Sequence, residues 1–479
     1  MKPSSGLLLP LLALLLLISS CQQNNSEKNK ETSATDTTAA ANSAADHAAD
    51  TDLPDWAVNA NIYEVNLRQY TPEGTLAAFE KQLPRLKEMG VDILWFMPIH
   101  PISQAKRKGS LGSYYAVADY KDVNPEHGNL EEFKAFVNKV HAMGMYLIID
   151  WVPNHTGWDN PWIKEHPEWY TQDKDGNIID PIDPSTGASW GWTDVADLNY
   201  ENKEMRAAMI DAMAFWLTDV GIDGFRCDVA HGVPNDFWVE ANQSLKKLKK
   251  VFMLAESDKP ENRNSGGFHM DYGWPFHKLT NDIAAGKKDA LAIDEYWKEN
   301  QATYQKGFHM HFTSNHDENT WVGTVFDRYK DGHKTFAVLT ATFDGMPLIY
   351  SGQESGNDKR LKFFEKDVID WKDYSYADFY TQLNQLKKRN KALWNGSYGG
   401  APKRIATGKD KNVYAFMREK DGDKVVVVLN LSGEEQDIVL EGDAFAGTYN
   451  NIFAKKDIQL AANMGMRLGA WDYLVLSSN

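Results

Sequence analysis

The sequence predicts an α/β protein: a (β/α)8 TIM barrel with a loop domain inserted after its third strand and a C-terminal all-β sandwich domain. Three observations carry that prediction. From residue 53 to about 395, short apolar runs alternate with helical patterns, as parallel βα units require. One connection, 152–199, is abnormally long and carries Trp158, Trp162, Trp169, Trp190 and Trp192; loops of that length form functional lobes or small domains. After about residue 395 the helical periodicity stops and strand-like runs take over. The chain has 479 residues, enough for a barrel of about 250 residues or more and a smaller module.

Residues 1–20 read as a signal peptide: Lys2 near the start, an apolar run from Leu7 to Ile18, then Ser19-Ser20-Cys21. The run is too short to span a bilayer comfortably. Leu17-Ile18-Ser19-Ser20-Cys21 resembles a bacterial lipobox, which predicts cleavage before Cys21 and acylation of its thiol. Each acyl methylene buried in lipid contributes about 0.8 kcal/mol to anchoring. The expected address is therefore outside the cytoplasm, lipid-anchored, in the periplasm or at the cell surface; an ordinary signal peptide with an incidental Cys21 is the alternative. Residues 21–52 hold the lipidated Cys and a polar stretch without aromatic residues, which reads as a flexible linker. Cys21 and Cys227 are the only cysteines, so the folded part has no pair to bridge.

The barrel is assigned to 53–395, with candidate strands at 62–67, 93–98, 145–151, 224–228, 251–256, 309–314 and 348–351. An eighth, 267–272, is weak, and closure of the barrel requires it. Asn129 with Glu132 three residues on forms a capping box that opens a helix. Met205, Met209, Ala212, Trp216 and Val220 recur at spacings of three and four and mark the apolar face of another. The C-terminal domain, 396–479, shows strand-like runs at 413–417, 425–431 and 471–476 and no helical pattern.

Apolar residues make up 42% and charged residues 25%, ordinary for a soluble domain. The formal charge of −16 argues against nucleic acid or an anionic membrane surface as partner and leaves a neutral polymer open. The 16 Trp, 20 Tyr and 21 Phe offer ring faces that pack on the C–H faces of sugars as readily as on aliphatic chains.

Four strand ends carry polar groups: Asp150-Trp151-Val152-Pro153-Asn154-His155, Gly224-Phe225-Arg226-Cys227-Asp228, Leu254-Ala255-Glu256 and Thr313-Ser314-Asn315-His316-Asp317. In a barrel these ends converge on one face. A lone Asp at such a place is usually a cap, but four ends together supply what glycoside cleavage needs. That chemistry takes a carboxylate to attack the anomeric carbon, an acid to protonate the leaving oxygen, and charge around an oxocarbenium-like transition state. Arg226 precedes Asp228 by two residues on one strand face, so its charge should keep Asp228 ionised. Cys227 alternates away and reads as core.

The four stretches, in this order, resemble the conserved regions of the α-amylase family of glycoside hydrolases. Val195-Ala196-Asp197-Leu198-Asn199, Tyr115-Ala116-Val117-Ala118-Asp119-Tyr120 and the run from Gly345 to Glu354 extend the resemblance over about 55–371. It implies that Asp228 is the nucleophile, Glu256 the general acid/base, and Asp317 the third carboxylate, which grips sugar hydroxyls. It also implies retention of configuration, with the first two carboxyls about 5 to 5.5 Å apart. His155 and His316 would hydrogen-bond the sugar being cleaved, Tyr115 would stack beneath it, and Asp150 would support His155 and Arg226.

The resemblance implies an α-glucan or malto-oligosaccharide substrate, with endo-type hydrolysis of α-1,4 bonds as the leading activity and no organic cofactor. A glucanotransferase uses the same machinery, and a non-catalytic starch-binding protein is a third class, disfavoured by the presence of all three carboxylates. In many relatives the residues equivalent to Asn154 and Asp197 help bind a structural Ca2+. Here Val229-Ala230-His231-Gly232 departs from the usual Lys-His after the nucleophile, so calcium is an open expectation.

Overall fold

In the computed structural model, residues 52–183 and 186–478 are described. Cys21, the leader and nearly all of the linker lie outside them. Among the described residues no helix is long and apolar enough to cross a membrane.

Eight parallel strands close into a barrel: β1 (Ile62–Val65), β2 (Ile93–Phe96), β3 (Tyr146–Trp151), β6 (Gly224–Cys227), β7 (Phe252–Ala255), β8 (Met270–Tyr272), β9 (Phe308–His311) and β10 (Met346–Tyr350), with β10 pairing back on β1. Between β3 and β6, β4 (His155–Gly157) and β5 (Val195–Asp197) form an antiparallel ribbon at the neck of the long connection.

The barrel strands read as continuous apolar runs because both faces are buried. Ile62, Ile93, Ile148, Phe252, Leu254, Met270 and Met310 pack inside the barrel, while Tyr63, Leu94, Ile149, Phe225, Cys227 and Met253 alternate outward into the helix-facing core. The eighth strand predicted at 267–272 shrinks to the three residues of β8. Its signal is weak because outward-facing Asp271 is polar, its Oδ1 paired with Arg263 at 3.0 Å and His309 at 2.6 Å. Gly224 is required by space, since a Cβ there would lie 2.1 Å from the Phe252 carbonyl oxygen.

The capping box forms: Asn129 Oδ1 accepts from the Glu132 N–H at 3.0 Å and Glu132 returns the bond to the Asn129 N–H at 3.1 Å, opening the helix Leu130–Ala142. The predicted face from Met205 to Val220 is buried, but its last turn, Trp216–Val220, is a π-helix closed by Gly221 at φ 92°. There Trp216 Nε1 donates to the Tyr120 carbonyl at 2.6 Å.

The C-terminal domain is all-β and unequal in its layers. β11 (Lys403–Ile405), β12 (Val413–Lys420), β13 (Asp423–Asn430), β15 (Gly447–Asn451), β16 (Lys456–Leu460) and β18 (Tyr473–Ser477) make a six-stranded sheet, and β14 (Gln436–Leu440) with β17 (Met464–Leu468) a two-stranded one. Val426, Val428, Ile438, Leu440 and Leu468 share the core between the layers. Tyr414, Phe416, Val425, Val427 and Leu429 face the barrel core instead, which explains the unbroken Val run of β13.

Candidate active site

Strand parity aims a set of polar side chains into the barrel mouth. Glu64 follows inward Ile62, Asp150 follows Ile148, Arg226 follows Gly224, and Glu256 follows Leu254, each two residues on. Arg226 is wholly buried and is the hub. Its Nη1 donates to Asp150 Oδ1 at 2.9 Å and to Asp228 Oδ1 at 2.8 Å, its Nη2 lies 3.0 Å from Glu256 Oε1, and its Nε donates to the Tyr272 hydroxyl at 3.1 Å. Trp95 and Tyr115 cover the guanidinium at 5.2 and 5.8 Å from their ring centres.

The expectation that Arg226 simply keeps Asp228 ionised is corrected by this geometry. Arg226 divides its charge over three carboxylates, and burial followed by the neighbouring Glu256 charge pushes the Asp228 carboxyl well up. For Glu256 burial also acts upward, but Arg226 and the Val229 N–H, which donates to Oε2 at 2.8 Å, outweigh it and hold the group down. Both carboxyls contact Arg226, Asp228 through Nη1 and Glu256 through Nη2, so the charge state of one bears on that of the other.

A second chain of contacts runs from Glu64. His316 Nδ1 meets Glu64 Oε1 at 2.5 Å, and its Nε2 lies 2.8 Å from the Tyr115 hydroxyl and 3.3 Å from Asp317 Oδ2. Burial disfavours the imidazolium, but Asp317 and Glu64 outweigh it and raise His316 to about 9. His316 therefore donates from both nitrogens, and the Tyr115 hydroxyl in turn donates to Asp150 Oδ2 at 3.2 Å. Burial pushes Asp150 up to about 7 against the pull of Arg226. Asp150 reaches Arg226 as expected but Tyr115 in place of His155. His155 instead lies beside Asn154 Nδ2 at 3.3 Å, and burial lowers it to about 4, leaving a neutral imidazole.

Asp228, Glu256, Asp317, Tyr115, His155 and His316 all line one cavity of about 370 Å3, with Arg226 and Asp150 buried beneath it. A second cavity of about 1000 Å3, lined by Trp190, His231, Lys259 and Trp274, adjoins it across Trp192, Val229 and Glu256.

Several contributors escape the sequence reading. Glu64 and Tyr272 were legible as polar groups of inward parity in apolar strands. Val229 left no signal: it holds φ 44°, a left-handed conformation costly for a β-branched residue, and so aims its N–H at Glu256. Trp321 reaches the cavity from the short helical turn Glu318–Val322, and Phe363 and Phe364 reach it from a loop with no periodicity to betray them.

Residues 37–403 match the family described as "Alpha amylase, catalytic domain". The chain belongs to the α-amylase family. Residues 413–475 match the "Alpha-amylase SusG C-terminal domain". Among relatives, α-amylase MalA of Haloarcula japonica is 26% identical over 404 residues, covering 80% of this chain and 57% of that protein. α-Amylase 3 of Dictyoglomus thermophilum is 25% identical over 474 residues, covering 85% of this chain and 90% of that protein. The crystal structure of a noncanonic maltogenic α-amylase, AmyB from Thermotoga neapolitana, superposes with a TM-score of 0.78 at 27% identity, over 88% of this chain and 99% of that one.

Asn154 and Asp197, the residues implied as calcium ligands, flank the ribbon: Asn154 immediately precedes β4, and Asp197 ends β5 opposite His155. Asn154 Oδ1 lies against Gly232, whereas Asp197 bonds Thr171 with Asp180 nearby and is raised to about 6 by burial. Among the described residues no three His, Cys, Asp or Glu side chains form a metal-binding group.

Proposed function

We propose that this α-amylase-family glycoside hydrolase cleaves α-1,4-glucosidic bonds in starch-like glucans or malto-oligosaccharides with retention of configuration. The observation that carries the reading is the Arg226 clamp, which holds Asp228 and Glu256 on one guanidinium at the cavity. One acid and one carboxylate is the protonation count of a double displacement, and close approach of the two groups belongs to the retaining geometry.

In this reading, with a sugar in the cavity, Glu256 carries the proton and Asp228 is ionised. Asp228 attacks the anomeric carbon while Glu256 protonates the departing oxygen. Arg226 balances the charge at Asp228, and Asp317 with charged His316 and neutral His155 holds the ring hydroxyls. Glu256, now ionised, deprotonates the water that releases the glucosyl-enzyme. Tyr115, coplanar within 10° of Phe363, forms the floor.

The larger cavity beyond Glu256 favours a second reading, transfer to an acceptor sugar held between Trp190 and Trp274. Cleavage of soluble starch and maltoheptaose, followed by NMR of the released anomers beside an Asp228→Asn control, tests the assignment. α-Anomers from the wild type alone support it, products longer than the starting oligosaccharide move it to transfer, and absence of turnover ends it. The Leu17-to-Cys21 stretch supports a lipid-anchored address outside the cytoplasm, which mass spectrometry of the mature N-terminus tests.

A further inference from the structure

Three of the loops that wall the catalytic cavity are tied to one another. Lys108, on the connection after β2, pairs with Asp194 at 2.7 Å just before β5 and donates to the Gly191 carbonyl at 3.4 Å. Two residues on, the Ser110 N–H donates to Glu365 Oε1 at 3.0 Å, the Ser110 hydroxyl bonds the same carboxylate, and the Leu111 N–H donates to the Phe364 carbonyl at 3.0 Å. The start of the segment is fixed as well, because Asp159 Oδ2 accepts from the Gln104 and Ala105 N–H groups at 2.6 and 2.8 Å. Loops from three separate strands thus form one continuous wall, and Lys108, Asp194, Phe363 and Phe364 face the cavity from it.

The position of Glu256 gives the cleft its direction. An acid that protonates the leaving oxygen stands between donor sugar and leaving chain. Glu256 lines both cavities while Asp228 and Asp317 line only the smaller. The donor end is therefore the cavity of about 370 Å3 and the leaving-chain side the one of about 1000 Å3. The smaller volume lies near the lower end for pockets that enclose a ligand of drug size, which is room for one or two hexose rings.

We propose that the tied wall, with the Lys108–Asp194 ion pair at its centre, stops the donor end, so that the enzyme removes one or two glucose units at a time from the non-reducing ends of α-glucan chains. The inference rests on the glucan-hydrolase reading above. It makes Lys108 and Asp194 determinants of product length, with no part in bond making.

The test digests amylose and maltoheptaose with the wild type and with Lys108→Ala, Lys108→Arg and Asp194→Asn, each first shown to melt as a native fold. The earliest products are sized by chromatography while iodine colour is followed. Expected is a wild type that yields glucose and maltose first and keeps iodine colour as reducing ends accumulate. Lys108→Ala and Asp194→Asn raise the share of maltotriose and longer products several-fold, and Lys108→Arg restores the short pattern; these ratios do not depend on the fraction of active enzyme. Long first products from the wild type with early collapse of iodine colour overturn the wall and leave the hydrolase reading intact, as does Lys108→Ala with wild-type product sizes. A wild type that turns over neither glucan removes the hydrolase reading itself, and this inference with it.

Discussion

Arg226 splits its two terminal nitrogens between Asp228 and Glu256, Nη1 at 2.8 Å from Asp228 Oδ1 and Nη2 at 3.0 Å from Glu256 Oε1. The same Nη1 also holds Asp150 at 2.9 Å, so one cation serves three buried carboxyl groups. Arg226→Gln leaves them uncompensated and should cost about 3–5 kcal/mol of stability together with nearly all turnover. Arg226→Lys keeps the charge but loses the fork that addresses two carboxylates at once. It should melt closer to the wild type yet lose about 10²-fold or more in kcat. Melting curves beside steady-state kinetics separate the two effects; equal kcat in the wild type and the Lys variant would deny the fork a role.

Glu256→Gln should reveal itself through the leaving group. General acid catalysis contributes about 10²–10⁴-fold, and the contribution shrinks when the departing oxygen needs no proton. The variant should lose most of its activity on maltoheptaose and far less of the first step on a nitrophenyl maltoside. Asp228→Asn should be inactive on both, because the nucleophile is needed whatever leaves. Equal losses of Glu256→Gln on the two substrates would remove the acid assignment.

The His316–Glu64 pair sets an alkaline limb. His316 is raised from an ordinary 6.5 to about 9, as Asp317 and Glu64 outweigh burial. A cation whose folded-state value lies above the unfolded one stabilises the fold fully below about 6.5, and that contribution is lost as pH rises through about 9. The gap is worth about 3 kcal/mol. kcat/KM should fall with an apparent pKa near 9 as the imidazolium that donates to Tyr115 and the sugar loses its proton. Glu64→Gln should shift the limb down toward 6.5 and shrink the stability difference between neutral and alkaline pH; an unmoved limb would assign it to another group.

The barrel was legible because strands buried on both faces leave unbroken apolar runs, and because polar residues at strand ends break them in step. β8 was faint for the opposite reason, since Asp271 and His269 on its outer side are polar. At the site, residues within the four strand-end stretches could be named in advance, but their coupling could not. That Asp150 holds Tyr115 in place of His155, and that Glu256 leans on the Val229 N–H, depends on tertiary approach. The walls made by Phe363 and Lys108 come from irregular loops, where no period links sequence to direction, and Trp321 comes from a single helical turn too short to show one.

Arg418 fastens the C-terminal sheet to the barrel. It is fully buried, and it donates to the carbonyls of Gly400 at 2.5 Å, Thr342 at 3.2 Å, Trp394 at 3.0 Å and Phe343. Burial lowers its own value to about 10, the mark of a cation held mainly by dipoles. Arg418→Met would orphan several buried acceptors, each costing about 1–3 kcal/mol, and should lower the melting temperature by several degrees. Since Arg418 lines neither cavity at the barrel mouth, kcat/KM at moderate temperature should hold. Retained stability would mean that the hydrophobic face from Tyr414 to Leu429 suffices alone.

Removal of divalent metal should leave both fold and activity unchanged. A structural Ca2+ needs several oxygen donors converging at 2.3–2.6 Å, and here Asn154 Oδ1 lies against Gly232 while Asp197 bonds Thr171. The loop after Asp228 does approach Asn154, but it spends the Ala230 carbonyl on Trp238 Nε1 at 2.9 Å. An ion present at a hundred times its Kd would add about 2.7 kcal/mol, enough to raise the melting temperature visibly. Calorimetry of chelator-stripped protein, with and without excess CaCl2, should therefore give superimposable transitions. A calcium-dependent rise that disappears in Asn154→Ala would show that the ribbon rearranges to gather the ligands, and would return the metal to the joint between the long loop and the barrel.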